Sequence, residues 1–178
     1  MAIPALSKGY LLDKGHIDPW WTTEHRSLQY RREPFNNSAD IDRWQKLGFT
    51  HKNFTGMMYD MKQPEPYWMQ LDRFKKIFNF EHLSWSFYKM CPGDIIPEHV
   101  DTFARFKKVY NTDNKTIVRA LILMEDWQQG HYLDLDNVAY TDWRAGDYVI
   151  WTEKGPHTAA NIGKTDRYTL QLTGLVEL

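Results

Sequence analysis

The stretch "LSWSFYKMCPGDIIPEHVD", residues 83–101, decides the fold class, because the spacing of apolar residues changes there from helical to alternating. Apolar residues alternate with serines in its first half, and the turn signal "CPG" at 91–93 separates that half from a second run. Side chains two apart on a strand point to the same side of a sheet. The stretch therefore predicts two β-strands joined by a turn.

Short runs of β-branched and aromatic residues, divided by turn signals, continue from there to the C-terminus. Such runs are typical of strands. Eight strands after a helical N-terminal part favour a two-sheet sandwich, jelly roll or small barrel over an alternating β/α fold. The predicted strands are 83–90, 94–101, 116–124, 131–135, 138–143, 147–152, 157–161 and 167–175.

The first eighty residues are irregular and contain two amphipathic patterns. The pattern at 38–49 predicts a helix capped by Ser38 or Asp40 that ends near Gly48. The pattern at 64–80 predicts a second helix that begins at its two prolines. We expect one domain over 1–178, in which 1–82 form a helical and irregular support region for a β core at 83–178.

Composition narrows the functional classes. The chain has 22 basic and 23 acidic side chains, interleaved throughout, so we expect no nucleic-acid partner. Its single cysteine, Cys91, excludes an intramolecular disulfide and a cysteine-rich zinc site. No apolar run resembles a signal peptide or a membrane span, which predicts a cytoplasmic protein without membrane contact.

His99 and Asp101 lie two apart on a predicted strand, so both side chains face the same side and can chelate one metal ion. His157, which opens a later strand, can supply a third ligand. Two imidazoles and one carboxylate leave half of an octahedron open, the arrangement associated with non-heme Fe(II) oxygenases. We therefore expect Fe(II) to be held by His99, Asp101 and His157.

An anionic chelating cosubstrate at such an iron needs a cation for its distal carboxylate. Arg167 opens the last predicted strand, and Thr169 shares its face. The guanidinium fork can pair both oxygens of a carboxylate, and the hydroxyl can add a hydrogen bond. Another His-x-Asp, at His16-Ile17-Asp18, has no preceding strand and no second ligand at a natural spacing. We interpret it as a surface loop.

At these residues the chain resembles the 2-oxoglutarate- and Fe(II)-dependent dioxygenase superfamily. "FYKMCPGDIIPEHVDTF" at 87–103 is similar to prolyl-hydroxylase-like members, and "TDWRAGDYVIWTEKGPHTAANIGKTDRYTLQL" at 141–172 resembles the aspartyl/asparaginyl β-hydroxylase-like group. Members of that second group often lack the carboxylate ligand that Asp101 provides here. The resemblance covers roughly residues 83 to 175 and implies a double-stranded β-helix core of the jelly-roll, cupin-like type.

The resemblance also implies cofactors and further site residues. Fe(II), 2-oxoglutarate and O2 are expected, with release of succinate and CO2 as a C–H bond is hydroxylated. Arg167 and Thr169 anchor the cosubstrate in that scheme, Tyr88 is a candidate cosubstrate contact, and Arg119 contacts cosubstrate or substrate. For Arg119 the alternative is a sheet arginine paired with an acid.

Other residues receive structural interpretations. His131 is interpreted as a hydrogen-bonded strand histidine, with a place in the pocket as the alternative. Asn161 either fixes its loop or orients His157. The pair Trp20-Trp21 is interpreted as a hydrophobic plug for the sheet.

Two other classes of function remain open. A cupin-type metalloenzyme fits "GDIIPEH" and "HTAAN" in part; it would use another ligand set, including His131, and would not need Arg167. A metal-free jelly-roll module that binds carbohydrate or peptide fits the eight tryptophans and ten tyrosines. A nucleic-acid demethylase ranks low, because Thr173 stands near the place of a second arginine.

The sequence does not name the substrate. Specificity is expected in the loops around the open metal face, here 16–38 and 102–116. A peptide or protein side chain follows from the resemblance, and a free amino acid or other small molecule is the alternative. We expect the segment at 102–115 to close over bound substrate. The oligomeric state is not predicted.

Overall fold

A computed structural model describes residues 25–32, 37–50, 54, 56–69 and 71–177 of the chain. Ten strands form two antiparallel sheets, and the described part of the chain contains few helices. The mainly β architecture predicted from the sequence is therefore confirmed, and so is the double-stranded β-helix core.

The larger sheet has six strands in the order β1-β2-β3-β10-β5-β8. The smaller sheet has four, in the order β4-β9-β6-β7. In the larger sheet the strands are β1 (Arg31–Arg32), β2 (Met57–Asp60), β3 (Leu83–Met90), β5 (Lys115–Leu123), β8 (Tyr148–Thr152) and β10 (Arg167–Glu177). The smaller sheet contains β4 (Ile95–His99), β6 (His131–Leu135), β7 (Val138–Tyr140) and β9 (His157–Asn161).

Each of the eight predicted strands corresponds to an observed strand, most ends agree within one or two residues, and two ends need comment. β4 ends at His99, so Asp101 lies just beyond the strand and not within it. A register irregularity between Ile96 and His99 interrupts the pairing of β4 with β9. β7 ends at Tyr140, short of the predicted 143.

The N-terminal region contributes more than the predicted helical support. β1 and β2 pair with each other, and β2 pairs with β3, so this region extends the larger sheet. The sequence pattern did not predict them, because two- and four-residue strands are too short to display an alternating period. The position of Trp20-Trp21 lies outside the described residues.

Both predicted helices exist, with different ends. Helix α1 (Ser38–Lys46) is capped by Asn37, whose side chain accepts a hydrogen bond from the Asp40 backbone, and not by Ser38 or Asp40. Helix α2 (Leu71–Phe78) begins well after Pro64 and Pro66.

The main hydrophobic core lies on one face of the larger sheet. It is built by alternate residues of β3, β5 and β10 together with Phe74 of α2. Phe80 packs so closely on the backbone of Gly174 in β10 that a side chain at position 174 would overlap its ring. A second cluster fills the space between β5, β8 and the smaller sheet around Leu133, Leu135 and Trp143.

No helix within the described ranges is long and apolar enough to cross a membrane.

Candidate metal centre

A cavity of 830 Å³ opens on the side of the larger sheet opposite the main core. Its floor consists of cavity-facing residues of β3, β5 and β10, and its far wall comes from β4 and β9. A third helix, α3 (Ala104–Val109), closes part of the mouth with the residues around it. The predicted ligands and both predicted arginines line this one space.

The two histidines face each other across the pair β4 and β9, where they are register partners. Their ring centroids are 4.2 Å apart. Nδ1 of His99 lies 2.9 Å from the carbonyl of Pro97, and Nδ1 of His157 lies 3.0 Å from that of Gly155. Each carbonyl accepts a hydrogen bond from Nδ1–H, so Nε2 of each ring carries the lone pair suited to a metal ion.

Helix α1 supports this pair from behind. Trp44, the buried residue of the helix, donates from its indole nitrogen to the carbonyl of Glu98 at 3.0 Å. Its ring stands edge-on to His99 with centroids 5.9 Å apart. The helix predicted at 38–49 thus positions the strand end that carries the first histidine.

Asp101 completes the group from just beyond β4. The indole nitrogen of Trp151 donates to its Oδ2 at 3.1 Å, and Arg119 Nε lies 3.6 Å from the same oxygen. Nε2 of His157 is 3.9 Å away. One ligand atom from each of His99, Asp101 and His157 lies within 4.8 Å of the others.

At neutral pH the three side chains are in the protonation states that bind a cation. Burial lowers the pKa of His157 to about 4, with a further contribution from His99, and burial also lowers the pKa of His99. Burial opposes ionisation of Asp101, but the charges of Arg119, His157 and His99 outweigh it and hold its pKa below the usual value. Neutral imidazoles and an ionised carboxylate are the forms that bind metal.

These residues fit a non-heme iron by the chemistry of their donor atoms. Two neutral imidazole nitrogens and one carboxylate form the donor set associated with Fe(II) at a site with open positions. His131, the extra ligand considered for a cupin-type site, is not part of this group. Its Nε2 lies 3.2 Å from the carbonyl of Thr165, and its ring stacks on Trp143.

Arg167 lines the cavity and is only 3% exposed. Its Nη1 contacts the sulfur of Met90 at 3.2 Å, and its guanidinium lies 5.4 Å from the ring centre of Trp143. Nε and Nη2 are buried and have no hydrogen-bond partner among the described residues. Burial lowers its pKa to about 10, so the group stays charged at neutral pH.

Thr169 and Tyr88 are cross-strand neighbours next to this arginine. They pair in register between β10 and β3, and both line the cavity. The ring of Tyr88 packs directly on Gly56, where any side chain would displace it. The structure thus brings Arg167, Thr169 and Tyr88 to one end of the space that also holds the three metal-binding candidates.

Arg119 lies farther along the same sheet face. Its Nη1 donates to Oε1 of Gln171, and its guanidinium lies 5.2 Å from the ring centre of Phe103. Its approach to Asp101 agrees with the interpretation as a sheet arginine paired with an acid. Its position on the cavity wall agrees with the interpretation as a contact of cosubstrate or substrate.

Asn161 fixes a turn. Its amide donates to the carbonyls of Met90 and Thr165, each at 2.8 Å, and its Oδ1 accepts from the Gly163 backbone at 3.0 Å. Gly130, with φ +94°, packs against Gly163 with no room for a side chain on either. This arrangement fits the loop-fixing interpretation of Asn161.

Sequence reasoning missed Trp151 and Gln171. Alternation in β8 places Val149 and Trp151 on one face, but only the register of β5 with β8 reveals that Trp151 stands opposite Arg119. His16 and Asp18 of the other His-x-Asp lie outside the described residues.

No protein-family model matches the chain, and no curated protein matches it. Among solved structures, a prolyl-4-hydroxylase from Pseudomonas putida is 15% identical and aligns over 88% of this chain and 96% of its own, with a TM-score of 0.50. SnoN, a non-heme α-ketoglutarate-dependent epimerase from nogalamycin biosynthesis, is 14% identical over 98% of this chain and 77% of its own, with a TM-score of 0.61.

A predicted oxalate decarboxylase from Thermotoga maritima is 13% identical over 68% of this chain and 82% of its own, with a TM-score of 0.42. At such identities the likeness concerns the fold. The two sheets and the likeness to the first two structures show that the chain has a double-stranded β-helix fold.

Proposed function

We propose that the protein is an Fe(II)- and 2-oxoglutarate-dependent dioxygenase that hydroxylates a C–H bond of an amino-acid-like substrate, free or within a peptide. One observation carries this proposal: Arg167 is a buried, charged guanidinium, two of its nitrogens have no hydrogen-bond partner among the described residues, and it lines the cavity that holds His99, Asp101 and His157. Burying such a charge without a partner is costly. An anion bound beside the metal relieves that cost.

His99, Asp101 and His157 are the proposed iron ligands. Trp151 donates to Oδ2 of Asp101 and so orients the carboxylate, whereas Nε of Arg119 lies 3.6 Å from the same oxygen, beyond hydrogen-bond distance. The carbonyls of Pro97 and Gly155 orient the imidazoles in the same way. When bound, the iron and 2-oxoglutarate supply the oxidation, in which O2 and the 2-oxo acid give succinate, CO2 and one oxygen atom for a C–H bond.

Arg167 and Thr169 are the proposed anchor for the distal carboxylate of 2-oxoglutarate. Nε and Nη2 of the arginine offer two parallel N–H donors, the geometry that pairs with both oxygens of a carboxylate. Thr169 is 4% exposed, so its contacts with a ligand are shielded from water. Tyr88, opposite Thr169, also lines this part of the cavity.

Two other functions compete. A cupin-type metalloenzyme would use the same cavity without 2-oxoglutarate, and it would leave the charge of Arg167 without a role. A metal-free binding module would leave the convergence of two histidines and a carboxylate unexplained. Each alternative predicts a different result in one experiment.

The experiment adds Fe(II) and then 2-oxoglutarate to purified protein without oxygen and records the weak visible charge-transfer band of the chelated iron. His99→Ala should abolish the band. Arg167→Met should raise the 2-oxoglutarate concentration for half-formation by about 10- to 100-fold, because charge-assisted hydrogen bonds contribute about 1.5–3 kcal/mol.

His82→Ala and Arg144→Met are the matched controls, since they make the same substitutions outside the cavity, at side chains that are 44% and 73% exposed. Both should leave the band unchanged. Wild-type protein that binds Fe(II) tightly but forms no band with 2-oxoglutarate would support the cupin-type alternative. Protein that binds no metal would support the binding module.

A further inference from the structure

The cavity continues beyond the metal-binding group into a polar region on the larger sheet. Gln171 and Thr173 of β10 stand opposite Ser86 and Ser84 of β3, and Thr173 also stands opposite Arg119 of β5. All five line the cavity. The hydroxyl, amide and guanidinium groups of this patch can form hydrogen bonds with a polar ligand but not with an apolar one. The patch therefore favours a polar ligand.

Arg119 is the charged centre of this patch. One of its five N–H donors reaches Gln171, and its Nε is buried without a hydrogen-bond partner in the described part of the chain. The 3.6 Å from Nε to Asp101 Oδ2 is too long for a hydrogen bond. Arg119 lines the cavity, so its terminal nitrogens remain able to donate to a ligand there.

The charges around the cavity favour an anion at this end. Four basic residues and two acidic ones line the space. Of the acids, Asp60 is already paired with Arg31 at 2.7 Å, and Asp101 is a proposed metal ligand. Arg105 lies 3.7 Å from the same Asp60, so if Arg167 binds the cosubstrate, the positive charges that remain are Lys62 and Arg119. Clefts lined by one sign of charge concentrate ligands of the opposite sign.

We propose that the substrate is a small polar molecule with a carboxylate, and that Arg119 binds this carboxylate while Gln171 and the neighbouring hydroxyls bind its other polar groups. The inference rests on the proposed function and specifies its substrate class. A cavity of 830 Å³ accommodates such a molecule beside 2-oxoglutarate. Because Arg119 lies next to Asp101, a carboxylate on Arg119 holds the adjacent carbon atoms near the metal face.

The test uses pairs of compounds that differ only in charge. The twenty free L-amino acids and the 2-hydroxy acids of three to six carbons are each compared with the corresponding carboxamide. Succinate formation is measured with Fe(II), 2-oxoglutarate and O2 present. At least one carboxylate should stimulate succinate formation tenfold or more over the substrate-free rate, and its carboxamide should not.

Arg119→Gln should raise the half-saturating concentration of that carboxylate at least tenfold. It should leave the oxygen-free band of Fe(II) with 2-oxoglutarate unchanged, which also shows that the variant is folded. Arg105→Gln is the matched control, because it removes another cavity-lining arginine, one that is 65% exposed at the mouth. It should change the half-saturating concentration by less than twofold.

Three results would overturn the inference. Loss of the band itself in Arg119→Gln would mean that this arginine serves Asp101 and not the substrate. Equal stimulation by acids and carboxamides would mean that the site does not select charge. A normal band with no stimulation by any acid of the panel would exclude small carboxylates as the substrate class. A missing band in wild-type protein would instead refute the proposed function.

Discussion

The two faces of the larger sheet are built by alternate residues of the same strands, and they differ in almost every property. In β10, Leu170 and Leu172 are fully buried in the main core. Their neighbours Arg167, Thr169 and Gln171 line the cavity. Period-two alternation thus lets one strand stabilise the fold and bind ligand at the same time. The two sets of residues should therefore respond to different measurements.

The largest effect is expected on the core face. Phe87→Ala should lower the free energy of unfolding by about 3–5 kcal/mol, because Phe87 is 0% exposed and its removal leaves a cavity. Ser86→Ala, one residue away on the cavity face, should change it by less than about 0.5 kcal/mol. Urea unfolding of both variants measures the difference. Similar losses for the two would contradict the division between the faces.

On the cavity face, Arg167→Met should raise the stability of the ligand-free protein and weaken the binding of 2-oxoglutarate. Without ligand the variant should be more stable than wild type by about 1–3 kcal/mol, because buried donors without partners cost about that much. Saturating 2-oxoglutarate with Fe(II) should stabilise wild type but not the variant. Thermal unfolding with and without ligand measures both effects. A variant that is less stable without ligand would mean that the guanidinium is satisfied within the fold.

His25 should make the core face sensitive to acid. Its ring packs against Phe87 and Tyr168, and burial lowers its pKa to about 3. The unfolded chain therefore takes up a proton near pH 6.5 that the folded chain refuses. This contribution to stability is complete above pH 6.5, and it is lost by about 1.4 kcal/mol per pH unit as the pH falls toward 3.

His25→Gln should lower by one the number of protons taken up on unfolding, so the free energy of unfolding should fall less steeply as the pH is lowered. Urea unfolding of wild type and variant at several pH values between 4 and 7 measures the difference, and metal ligands that titrate in the same range cancel in it. Parallel pH profiles for the two proteins would exclude His25 as the source.

The smallest effect is expected at the support of Asp101. Trp151→Phe removes the indole donor to Oδ2, and Fe(II) affinity should fall about tenfold, the lower end of the range for groups that orient metal ligands. Trp127→Phe is the control, since its indole donates to the carbonyl of His131 outside the metal group. Anaerobic Fe(II) titration compares them. Equal affinities in the two variants would mean that Trp151 does not orient the carboxylate.

Much of the β core could be predicted from sequence, because alternation and turn residues act locally. All eight predicted strands were found, and His99, Asp101, His157 and Arg167 line one cavity. The helix ends were harder to predict, since Asn37 caps α1 where two nearby residues offered similar side chains. Asn, Ser and Asp differ little in their preference for the capping position, so the sequence alone does not decide which of them caps the helix.

The contacts around Asp101 could not be predicted, because they depend on the pairing of strands distant in sequence. Trp151 and Arg119 meet Asp101 only after β5 and β8 pair in one particular register. β1 and β2 were missed for a similar reason, since strands this short are specified by their partners and not by their own pattern. Register is a property of the whole sheet.

The uninterrupted register of β10 limits how this protein can evolve. From Arg167 to Glu177 the strand pairs with β3 or β5 without a bulge. A single inserted residue would turn Leu170 and Leu172 toward the cavity and the polar residues toward the core, so it would destroy folding and binding together. Substitutions on the cavity face carry no such penalty. Lineages that share this sheet are therefore free to change ligands by point mutation, while changes in length are confined to the loops.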